Sequence, residues 1–141
     1  MWLLLACSVS AQTLPDGAGK EATRKICGNC HEITTVISSR RTKIAWEQMV
    51  DDMITRGAEG SDADMETVVA YLTANFGKVN INTAAAADLQ KALGLSENEA
   101  QALTSYRAKN GNYKNFEDLA KTPGLDAEKL RQKRSLIAFT Q

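Results

Sequence analysis

With 141 residues, 43% of them hydrophobic, and 17 basic against 17 acidic side chains, the chain can hold one average domain or two very small ones. Zero net charge excludes a general electrostatic pull toward nucleic acid or membrane, and no segment approaches the roughly 18 consecutive apolar residues of a bilayer span. The charge is mildly segregated, with 8 Lys/Arg and 10 Asp/Glu in residues 1–78 and 9 and 7 in residues 79–141.

Residues 1–12 read as an export leader, shortened at its front. Trp2-Leu3-Leu4-Leu5-Ala6 is apolar, and Val9-Ser10-Ala11 offers small residues for cleavage. Cys7 fits a lipoprotein cleavage box loosely, but Leu5 is bulky for that box, so cleavage near Ala11 is the expectation. Either route puts the mature chain, without a transmembrane segment, outside the cytoplasm, periplasmic or otherwise exported.

Residues 17–27 can form a helix, and it runs into Cys27-Gly28-Asn29-Cys30-His31. Two thiols three positions apart can reach the two vinyl groups of one porphyrin, and the imidazole that follows can bind the iron from one face, so this C-x-x-C-H motif predicts one covalent haem c. The rival is a disulfide or half a zinc site. His31 is the only histidine, and no second Cys pair completes a zinc shell. A haem also gives a front half of some 60 residues a large apolar surface to pack around, which a core of about that size needs.

A second helix is predicted from Thr42 to a stop at Gly57, with apolar positions 46, 49, 50 and 53 on one stripe. A third runs from Ser61-Asp62 to Phe76-Gly77. No second histidine exists to ligate iron opposite His31, so the candidates are Met49, Met53 and Met65, each of which also suits a core. Met65, among polar neighbours early in its helix, ranks last. Arg40 and Arg41 are candidates for haem propionates, or simply exposed loop residues.

After Gly77 the composition changes. Asn80-Ile81-Asn82-Thr83 reads as a short extended stretch with a helix cap, and a 30-residue repeat follows: the segment from Ala86 to Ser96 aligns with that from Phe116 to Asp126. Each copy is a helix, a tight Gly-Leu-x turn and a second helix, predicted at 98–109 and 127–139.

Residues 16–78 resemble class I cytochromes c. The carrying residues are the haem motif, Gly19-Lys20 eight positions before Cys27, and Tyr71-Leu72; in that family such a glycine lets the first helix cross a last helix bearing an aromatic-Leu pair. No proline follows His31, and the late methionine loop of the family is missing. Trp46, Val50, Met53 and Arg56-Gly57-Ala58 resemble a variant group of small monohaem cytochromes associated with periplasmic oxidoreductases such as sulfite dehydrogenases. That resemblance implies Met53 as the sixth ligand, with Met49 as the alternative, Trp46 near the haem edge, and a periplasmic oxidoreductase as redox partner.

Residues 79–139 resemble the tandem helix-hairpin-helix domain of the competence DNA receptor of transformable bacteria. The match is carried by Val79-Asn80-Ile81-Asn82-Thr83-Ala84, by Ser105-Tyr106-Arg107 with Asn110-Gly111, and by Phe116-Glu117-Asp118-Leu119. In that family a Gly-hydrophobic-Gly hairpin holds a phosphate on backbone N–H groups at a helix N-terminus. Gly94, Leu95 and Ser96 form the first hairpin here, and the second has Gly124 but Asp126 in place of the last glycine. Lys129, Arg131 and Lys133, with Arg134, are further candidates for phosphate contact. The same fold also occurs in an extrinsic photosystem II subunit that binds protein.

The expected architecture is all-α: a leader (1–12), a small cytochrome c haem domain (13–78) and a tandem helix-hairpin-helix domain (79–141). The expected function is single-electron transfer with the hairpin module as a docking element. No catalytic residues are assigned. The alternatives are an exported DNA-binding protein with ancillary haem, and a haem enzyme or gas sensor with an open sixth site.

Overall fold

The computed structural model describes residues 13–140. The leader and Cys7 lie outside the described residues. The chain is mostly helical: α1 (Lys20–Gly28), α2 (Ile33–Ile37), α3 (Lys43–Thr55), α4 (Asp62–Phe76), β1 (Val79–Asn80), α5 (Ala86–Leu93), α6 (Glu97–Asn110), α7 (Phe116–Leu119), α8 (Ala127–Gln132), a 3-10 turn (Arg134–Leu136) and β2 (Ile137–Ala138).

Local chemistry sets these limits. Thr42 caps α3 by accepting from the Ala45 amide, and Ser61 with Asp64 forms a reciprocal capping box on α4. Ser96 and Glu99 do the same for α6. The turn after α5 needs Gly94 at φ +65°, left-handed backbone that L side chains rarely adopt.

The helices α1 and α4 pack together, and Gly19 is where they come closest. A Cβ there would lie 2.7 Å from Tyr71 Cβ and 3.0 Å from the Thr67 carbonyl, and the residue also has φ +96°. Only glycine fits. The Tyr71 hydroxyl donates to the Pro15 carbonyl and pins the chain ahead of α1 to α4.

The buried side chains form two separate clusters. The front core contains Leu14, Ile37, Trp46, Val50, Met65, Val68, Val69, Tyr71 and Leu72. The back core contains Ile81, Leu89, Leu93, Leu103, Phe116, Leu119, Leu130 and Ile137 among others. Between them the backbone of Arg41 pairs with the end of α4: its N–H donates to Phe76 (3.1 Å), and its carbonyl accepts from Lys78 (2.7 Å).

The back core is closed by polar bonds rather than by helix packing alone. β1 and β2 pair in parallel, Val79 with Ile137 and Asn80 with Ala138. The Asn82 side-chain amide donates to the Tyr113 and Phe139 carbonyls, and its oxygen accepts from the Tyr113 N–H. The Arg107 guanidinium donates to the carbonyls of Ile81 and Ala84, both at 2.6 Å. This pairing corrects the last predicted helix, which stops at Gln132 rather than reaching Phe139, because residues 137–139 give their backbone groups to β1 and Asn82.

Candidate functional site

A mostly apolar cavity of 450 Å³ opens in the front half. Cys27, Cys30 and His31 line it from the end of α1, Met49 and Met53 from α3, and Met65 from α4. The rest of the wall includes Ile26, Val36, Val50, Ala58 and Val68. Its volume lies in the range of small-molecule and cofactor pockets, and sulfur and imidazole ligands in an apolar wall suit a haem. Cys27 and Cys30 are free thiols. Burial pushes the Cys27 thiol up from its ordinary value, which keeps it protonated and unlike an activated nucleophile. Among the described residues no group of three or more His, Cys, Asp or Glu side chains is placed to hold a metal ion.

All three methionines reach this cavity, so lining alone does not choose between them. The polar surroundings expected for Met65 are corrected: it is buried in the front core, its methyl group near Gly60. Trp46 is not among the lining residues. It is fully buried, its indole N–H donates to the Phe76 carbonyl, and the Arg41 guanidinium lies over its ring. Of the two arginines, Arg41 lines the cavity, whereas Arg40 donates to the Asn75 carbonyl and faces another cleft. Arg56, given no role from sequence, also lines the cavity and is paired with Asp52. Its only signal was its place beside Gly57-Ala58.

In the back half the hairpin amides are already engaged. The Ser96 N–H donates to the Glu99 carboxylate at 2.8 Å, and the Gly94 N–H to the Gln90 carbonyl. The Leu95 side chain is buried in the back core. After Gly124, one oxygen of Asp126 accepts from both the Glu128 and Lys129 amides at 3.0 Å, so a carboxylate occupies the place a phosphate would take. Of the basic run, Lys129 pairs with Glu99, Arg131 pairs with Glu128 and lies over Phe116, and Arg134 lies over the same ring.

The helix–turn–helix repeat is matched by a family model described as "Helix-hairpin-helix motif" over residues 74–138. The back half is thus similar to helix-hairpin-helix domains. Relatives include an uncharacterized protein of Haemophilus influenzae, 41% identical over 63 residues, which are 44% of this chain and 56% of that protein. ComE operon protein 1 of Bacillus subtilis is 36% identical over 59 residues, 42% of this chain and 29% of that protein. Endonuclease/exonuclease/phosphatase family domain-containing protein 1 of Mus musculus is 42% identical over 50 residues, 36% of this chain and 9% of that protein. The chain thus spans just over half of the first relative and less than a third of the second. No solved structure matches. Among the described residues no helix is long and apolar enough to cross a membrane.

Proposed function

We propose that this chain is an exported monohaem c-type electron carrier, with a haem domain at 13–78 and the helix-hairpin-helix domain, at 79–141, as its docking element. The observation that carries the reading is the convergence of Cys27, Cys30, His31 and three methionines on one apolar cavity. The close approach at Gly19 and Tyr71 supports it, since the resemblance to class I cytochromes c implies a helix crossing at those positions. Haem, when bound, supplies a one-electron couple. Cys27 and Cys30 would hold it by thioether bonds, His31 and Met53 would bind its iron, and Arg41 with Arg56 would face its propionates. The apolar wall would keep water away from a bound haem.

The sixth ligand is open to a direct test. Met53→Ala should abolish the weak far-red band of thioether-ligated ferric haem, while Met65→Ala should leave it. Loss of the band in Met49→Ala alone would move the ligand one helical turn earlier. A wild-type protein that lacks the band and binds carbon monoxide readily would favour an enzyme or sensor over an electron carrier.

A second reading, DNA binding by the helix-hairpin-helix domain, is the one the comparisons favour, through the family match and the likeness to ComE operon protein 1. The engaged hairpin amides limit it to non-specific strength, a Kd of about 10⁻⁴ to 10⁻⁶ M at physiological salt. Asp126→Gly releases the Glu128 and Lys129 amides and should tighten duplex binding in a fluorescence-anisotropy titration; nanomolar binding by the wild type would make DNA capture the main role.

A further inference from the structure

We propose that duplex DNA is held at the seam between the two halves rather than at the hairpins; the inference rests on the second reading above. A cleft of 920 Å³ runs between α4, the Arg40–Lys43 segment and α5. Its walls carry Arg40, Lys43, Lys78 and Lys91, with Asp88 as the one carboxylate among the lining residues. Lys43 is neutralised by Glu47 at 2.8 Å. Lys78 and Lys91 form no ion pair among the described residues, and Arg40 bonds only a carbonyl there, so three positive charges face one negative charge.

The charged groups suit phosphate oxygens, since lysine and arginine supply many of the usual contacts to a nucleic-acid backbone. The polar groups on the same walls are used or enclosed: the Thr42 hydroxyl caps α3, the Asn75 amide donates to the Tyr71 carbonyl, and the Thr73 hydroxyl is buried. Among the described residues no aromatic side chain lines the cleft. Single strands need such rings to stack their bases, and protein interfaces use them as anchors, so the lining favours the backbone of a duplex over either. At the second hairpin the Glu128 and Lys129 amides and the charges of Lys129 and Arg131 are engaged internally, as is the Ser96 amide at the first, whereas Lys78 and Lys91 at the seam form no ion pair among the described residues.

The test is anisotropy of a short labelled duplex with the full-length haem-loaded chain at several salt concentrations. Replacing both lysines, Lys78→Gln with Lys91→Gln, should lower the slope of log affinity against log salt by about 1.8, at about 0.9 for each phosphate that a lysine no longer neutralises. Asp88→Asn should act in the opposite direction and tighten binding. Duplex binding whose slope is the same in the wild type and the double variant overturns the seam and leaves the DNA reading standing. No duplex binding by the wild type overturns the DNA reading itself, and the seam with it.

Discussion

Protein with Cys27→Ala and Cys30→Ala, made alongside periplasmic haem-attachment machinery, is expected to weigh no more than its processed chain and to lose all colour on denaturation. The wild type made in the same way should weigh one haem more and keep its colour through acid-acetone extraction. The loss should reach beyond the cofactor, because the cavity that Cys27, Cys30 and His31 line measures 450 Å³. Without haem the apolar walls of that opening would face water instead of packing on a porphyrin, and a domain this small depends on that burial. A core of nine buried residues cannot absorb that loss. The walls from Ile26, Val36 and Val68 should collapse or unfold, and circular dichroism should show the helicity of α1 to α4 falling while the back half persists. A wild-type protein that surrenders its colour to acid-acetone would refute covalent attachment.

Asn82→Ala should unfold the other half. One side chain there satisfies the Tyr113 and Phe139 carbonyls and the Tyr113 N–H, at 2.8–2.9 Å. Its removal strands three backbone groups at the edge of the back core, a cost of about 4 kcal/mol. A domain of this size has little more than that in total. Asn82→Asp is a sharper probe. It keeps the acceptor for the Tyr113 N–H but turns a carboxylate toward two carbonyl oxygens, so it should be at least as damaging as alanine. A two-probe urea titration, haem absorbance for the front and far-ultraviolet dichroism for the whole, should show the back transition shifted to lower urea and the front one unmoved. Coincident shifts in both probes would mean that the two cores fold as one unit.

Much of this is legible along the chain. The α3 stripe at 46, 49, 50 and 53, the Thr42 and Ser61 caps and the stop at Gly57 define two helices nearly to the residue, because periodicity and capping are local properties. The 30-residue repeat locates both hairpins for the same reason. What escapes a sequence reading is decided at long range. No local pattern marks Ile137-Ala138 as a strand; its pairing with Val79-Asn80 makes it one. The five-residue helix α2 is too short to show a period. At the cavity, the haem motif names Cys27, Cys30 and His31, but which methionine or arginine faces inward depends on how α3 and α4 pack. Hence nothing local singles out Arg56, moves Met65 from its polar neighbours into a core, or withdraws Trp46 from the expected cofactor edge to serve that core. The hairpins are the reverse case: Asp126 announces in the sequence that the second turn is altered, and Ser96-x-x-Glu99 reads as a capping box that the geometry bears out, with Glu99 filling the first.

The parallel pairing of Val79-Asn80 with Ile137-Ala138 has a temporal consequence. Every buried member of the front core has been made once Leu72 has left the ribosome, so that half can fold while the rest is still being synthesised. The back half must wait for its final residues, since its first strand has no partner until they arrive. Order of completion is thereby written into the topology: the half bearing the haem motif comes first, and the half that would dock it to anything else is finished last.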